Sequence, residues 1–160
     1  MRNWATRAVG ELAHRRDEIN ALNVFPVPDS DTGSNMAHTM EAAVAELDNG
    51  GDVADSLALG AVRGARGNSG MVLSQVLRGV AESTVDSVID GDVFVRSLKQ
   101  AVELVDRAIA EPVEGTVITV LKAASESAED AAAQSGATLH SIVSAAIAAA
   151  ETALERTPSQ

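Results

Sequence analysis

Apolar residues recur at three- and four-residue intervals along nearly the whole chain, without sustained apolar–polar alternation, so the pattern predicts helices and no amphipathic strand. The spacing predicts about seven. The first runs from about Asn3 to Ile19, and the second from about Ser34 to Leu47, where Asn49-Gly50-Gly51 stops it. Asp52 then caps a third that reaches about Arg63. A fourth begins near Asn68 with Leu73, Val76, Leu77 and Val80 on one face. A fifth follows Gly91-Asp92, with Phe94, Leu98, Val102, Val105 and Ile109 repeating at helical intervals until Pro112. The sixth begins around Gly115 and ends near Gly136, and Thr138 caps a seventh with Leu139, Ile142, Val143, Ile147, Ala150 and Leu154 inward. The β-branched run Val117-Ile118-Thr119-Val120 is the best strand candidate, but it continues into Leu121, Ala124 and Ala128 at helical spacing, which favours helix.

One connection stands apart. Asn20 to Gly33 is long, and its prolines Pro26 and Pro28 keep it extended. Long ordered loops in compact domains are frequently functional. The chain of 160 residues suits one domain, and its core is aliphatic, since the aromatics are only Trp4, Phe25 and Phe94. Tight helix packing around small residues fits that composition.

Charge and composition narrow the function. A formal net charge of -11 disfavours a nucleic-acid partner, which needs clustered Lys and Arg. Without cysteine there is no disulfide, thiol nucleophile or zinc thiolate site, and a reducing, cytoplasmic location is expected. No apolar run is long enough for a membrane span. The arginines of residues 1–16 resemble those of a transit peptide, but Glu11, Asp17 and the lack of serine point to an ordinary first helix.

Two tracts carry candidate chemistry. In the first, Asp29 and Asp31 stand two residues apart in an extended segment, able to point to one side as hard oxygen ligands for Mg²⁺. Thr32, Gly33, Ser34 and Asn35 follow directly at a helix start whose unpaired N–H groups suit an anion. Taken alone, the two acids read first as helix-capping residues. The second tract, Gly64 to Gly70, is a glycine-rich bend in which Ala65, Arg66, Gly67, Asn68 and Ser69 offer backbone amides, a cation and polar side chains; a plain turn is the simpler alternative. Gly115 and Thr116 form a third turn of the same kind. His14 and His140 read as helix-surface residues and His38 as lying at the edge of the site, and no catalytic nucleophile or base emerges.

At these residues the chain resembles the nucleotide-binding domain of the dihydroxyacetone kinase superfamily, most closely the N-terminal domain of bacterial fatty acid kinases. The resemblance rests on Glu18 to Met36 and, in the same order, on Gly64 to Gln75 and Pro112 to Val120. It implies an all-α antiparallel helical barrel, eight-helixed in the family, with ATP and two Mg²⁺ ions at one rim. Asp29 and Asp31 would bind the metals, with Asn23 near a position where the dihydroxyacetone kinase branch has a further aspartate. Ser30 stands where the family usually has glycine. Relatives continue beyond Thr157-Pro158, so the chain reads as a fragment of a longer multidomain protein.

The function implied is transfer of the γ-phosphoryl group of ATP to a fatty acid presented by a separate, DegV-like fatty-acid-binding carrier protein, giving an acyl phosphate. Homodimerisation through the full-length protein belongs to the same expectation. The alternatives are a dihydroxyacetone-type kinase subunit and a noncatalytic helical interaction domain.

Overall fold

A computed structural model describes residues 1–23, 29–109 and 116–156. Among them are seven α-helices: α1 (Arg2–Leu22), α2 (Thr32–Glu46), α3 (Val53–Gly64), α4 (Gly67–Ser83), α5 (Gly91–Ala108), α6 (Val117–Ala132) and α7 (Leu139–Arg156). The all-helical expectation holds, including for Val117 to Val120, which form the first turn of α6. The only strand-like pairing among the described residues is an isolated bridge between Val85 and Val88, on either side of Asp86 and Ser87, both of positive φ.

Local chemistry sets most helix ends. The Asp52 carboxylate accepts the N–H groups of Ala54 at 2.8 Å and Asp55 at 3.3 Å, capping α3 as expected. Asp90 accepts the Val93 N–H at 2.8 Å, so α5 starts at Gly91, one residue before the acidic Asp92. At α7, Ser141 N–H donates to Thr138 Oγ1 at 3.2 Å while Thr138 N–H donates to Ser141 Oγ at 2.9 Å, a reciprocal cap.

The chain divides into two compact units, Met1–Arg78 and Gly79–Gln160. In the first, Ala5, Met40, Ala43, Leu47, Leu57, Ala61 and Leu77 form the buried core. α3 lies so close to α2 that a Cβ at Gly60 would fall on the Ala42 carbonyl oxygen, and one at Gly64 on the Ala42 methyl. Small residues thus permit the tight packing that the composition suggested.

In the second unit, Ala128, Ile142 and Ala146 form a small buried cluster, with Phe94, Leu98 and Ala124 packed against it. The inward face expected for α7 needs correction: Leu139, Ile147 and Leu154 are 38%, 53% and 60% exposed. α7 instead meets α6 through small side chains, and Ser127 Oγ donates to the Ala145 carbonyl at 3.1 Å. α5 is turned similarly. Val93, Ser97, Ala101, Leu104 and Val105 are its buried residues, while Phe94, Leu98, Val102 and Ile109 are only partly covered.

Candidate functional site

The start of α2 is held from another helix. Asp31 is its N-cap residue by position, yet the Asp31 side chain makes no capping hydrogen bond. Asn20 near the end of α1 does that work: its Oδ1 accepts the Ser34 N–H at 3.1 Å and its Nδ2 donates to Ser34 Oγ at 3.0 Å. Asn23 adds a second tie, with Oδ1 accepting the Asp31 N–H at 3.2 Å. The simple capping reading of Asp31 therefore gives way, because an amide fourteen residues upstream of Ser34 takes that role. α1 can approach because residue 33 lacks a side chain; a Cβ on Gly33 would fall on the Arg16 carbonyl oxygen.

This geometry also narrows which amides can face a ligand. Asn35 N–H donates to the Asp31 carbonyl at 2.8 Å, closing the first turn, and Ser34 N–H is engaged by Asn20. Thr32 and Gly33 remain as the amides of this helix start without a partner among the described residues. Of the expected run Thr32 to Asn35, these two are the backbone donors available to an anion. The Ser34 hydroxyl accepts from Asn20 Nδ2, and the Asn35 side chain lies against Gly67 at the start of α4.

The glycine-rich bend meets the same region. Ala65 has extended backbone after α3, and Gly67 opens α4 at φ +60, in the left-handed region where glycine is favoured. A Cβ on Gly67 would overlap the Asn35 side-chain amide, and one on Gly70 would overlap Thr39 Oγ1. Arg66 N–H donates to Thr39 Oγ1 at 3.3 Å, and Gly70 N–H donates to the Arg66 carbonyl at 3.0 Å as the first bond of α4. Two tracts some thirty residues apart in sequence are thus in contact within one unit. Gly67, Asn68 and Ser69 supply the amides heading α4, and the Arg66 side chain is exposed beside them.

Among the expected metal ligands, Asp29 is exposed and Asp31 half-buried. Ser30 between them has φ 55, so serine occupies a conformation that favours glycine. Among the described residues no group of three His, Cys, Asp or Glu side chains gathers to form a metal site. Two carboxylates and an amide oxygen nonetheless match the habit of Mg²⁺, which takes one or two protein carboxylates and completes its shell with phosphate and water oxygens. His38 is half-buried on α2, while His14 and His140 are exposed.

The third tract is only partly in view. Gly115, with the rest of the Pro112 to Gly115 turn, lies outside the described residues, as do Phe25 to Pro28. Thr116, in the second unit, accepts the Ile118 N–H at 3.3 Å and caps α6. Two residues escaped the sequence reading: Asn20 and Thr39. Thr39 carried a signal, since a threonine four residues after Asn35 in a helix commonly bonds the earlier carbonyl, as it does here at 2.7 Å. Its second bond, to Arg66, has no sequence signature.

The family model described as the DAK2 domain matches residues 26–160. The chain is 37% identical over 153 residues to Protein YloV of Bacillus subtilis (strain 168), an alignment covering 92% of this chain and 28% of that protein. An uncharacterized protein of Staphylococcus aureus (strain bovine RF122 / ET3-1) is 39% identical over 127 residues, covering 76% of this chain and 23% of its own. The chain spans about a quarter of the length of the curated relatives it matches. No helix among the described residues is long and apolar enough to cross a membrane.

Proposed function

The chain belongs to the DAK2 domain family, and we propose that its first unit forms the Mg²⁺-ATP site of a phosphotransferase. The supporting observation is the meeting of the α2 start with the α3–α4 bend, beside an Asp31 whose carboxylate is left out of helix capping. Asp29 and Asp31 would hold the metal, with Asn23, whose Oδ1 fixes the Asp31 backbone, beside them. Mg²⁺ held there would offset phosphate charge. The Thr32 and Gly33 amides, the Ser34 hydroxyl and the amides of Gly67 to Ser69 orient the phosphate chain, and Arg66 adds positive charge.

The acceptor we favour is a fatty acid carboxylate presented by a separate DegV-like carrier. A carboxylate oxygen attacks the γ-phosphorus, the bond to the β-phosphate oxygen breaks, and acyl phosphate and ADP result. A carboxylic acid is already ionised at neutral pH, so this acceptor needs no general base, whereas the hydroxyl of dihydroxyacetone would need one. A cytoplasmic location and dimerisation of the full-length protein belong to the same reading.

The melting temperature measured with ATP, with Mg²⁺ and with both tests the nucleotide site. A ligand at ~100 times its dissociation constant contributes about 2.7 kcal/mol, so a clear rise is expected when both are present. Asp31→Ala should remain folded and lose the rise. No rise for the unaltered chain, or an equal rise in folded Asp31→Ala, would refute the assignment and leave the noncatalytic interaction domain as the better reading.

A further inference from the structure

We propose that Thr39 is a positioning residue for the anion site, locking the α3–α4 bend onto α2 so that the amides heading α4 keep a fixed place beside Thr32 and Gly33. The inference rests on the nucleotide reading of the first unit. Thr39 has no solvent exposure, and its hydroxyl is engaged in both senses: it donates to the Asn35 carbonyl at 2.7 Å and accepts the Arg66 N–H at 3.3 Å. The Arg66 peptide is therefore gripped twice. Its N–H is tied to α2 and its carbonyl accepts the Gly70 N–H at 3.0 Å within α4.

Shape reinforces the bond. The Asn35 amide occupies the space of a Gly67 Cβ, and Thr39 Oγ1 occupies that of a Gly70 Cβ, so the first turn of α4 lies directly against these two polar side chains. Asn35 and Thr39 are one turn apart on α2 and form a single edge facing the bend. A helical threonine bonding only its own earlier carbonyl would be a local detail. The bond to Arg66, twenty-seven residues away, makes this hydroxyl the polar tie between the two halves of the proposed phosphate cradle. Valine has the same shape but neither bond, leaving the Arg66 N–H without its partner, whereas serine keeps both.

The test is titration of Mg-ATP into the native chain, Thr39→Val and Thr39→Ser, well below each melting temperature, with amide exchange read at Arg66. Thr39→Val should bind about tenfold more weakly, the scale of one lost hydrogen bond, with faster exchange at Arg66, while Thr39→Ser stays within about twofold of native. A folded Thr39→Val that melts lower yet binds as tightly as native has lost stability only, and overturns the positioning role. Binding by none of the three, native included, defeats the nucleotide reading and this inference with it. If Thr39→Val does not fold, exchange in the native chain decides: slow exchange at Arg66, comparable to the first turns of α2, supports the lock, and fast exchange overturns it.

Discussion

The two units begin their helices differently. In the second, α5, α6 and α7 are capped by Asp90, Thr116 and Thr138, each immediately before its own helix. In the first, Asp52 caps α3 in the same local way, but the start of α2 is capped by Asn20 of α1, and the residue before α4 is held by Thr39 of α2. A local cap engages the polar side chain next to the helix and leaves it little else to do. A cap borrowed from a neighbouring helix leaves the adjacent acid, here Asp31, outside the cap. The α2 start that needs tertiary support also carries an acid, Asp31, that its cap does not use.

Backbone contact offers the largest test of this contrast. Gly33→Ala would drive a Cβ onto the Arg16 carbonyl, which cannot move without shifting α1, whereas Gly91→Ala would meet only the Cδ1 end of Ile142, a flexible tip. We expect a loss of about 3 kcal/mol for the first and under about 1 kcal/mol for the second, read by urea denaturation. Equal losses would remove the distinction between the two helix starts.

The caps come next. Asn20→Ala and Asp90→Ala should each cost about 1 kcal/mol, the usual range for a lost cap, but only Asn20→Ala should also weaken Mg-ATP binding. Titration of both variants checks this, and an equal effect of Asp90→Ala on affinity would break the comparison. A gain of about 1 kcal/mol is expected for Ser30→Gly, since φ 55 carries a left-handed penalty that glycine lacks. Thermal melting reads that change directly.

The smallest effect belongs to the surface. Arg15 donates to Glu18 through Nε and Nη2, both at 2.9 Å, and this guanidinium hydrogen bond and charge hold the Glu18 carboxyl below its ordinary value. A lowered folded-state pKa stabilises above the unfolded carboxylate range and loses that contribution as pH falls through the lowered value. Both side chains are exposed, so Glu18→Gln should change the neutral-pH melting temperature very little, and any difference should vanish as the pH falls through the acid range.

Much of the molecule was readable before its fold. Seven helices, the caps Asp52 and Thr138, and the helical state of Val117 to Val120 followed from periodicity and capping chemistry, which act over a few residues. The buried face of α7 did not follow. Leu139, Ile147 and Leu154 look like a core stripe, but α6 offers α7 an alanine-rich surface that accepts a close approach of small residues instead. Apolar spacing locates a helix and its apolar residues, not which side a partner will cover.

The candidate site divides along the same line. Sequence alone picked out the acids Asp29 and Asp31, the polar helix start after them and the glycine-rich bend, because those residue types suit a metal and an anion and because the tracts resemble a nucleotide-binding family. Only the tertiary structure decided that Asn20 rather than Asp31 caps α2, that the Ser34 amide is engaged from α1, and that Thr39 joins the two tracts. Those decisions depend on hydrogen bonds between residues fourteen and twenty-seven positions apart, and a bond across that distance exists only once helix packing has brought donor and acceptor within about 3 Å.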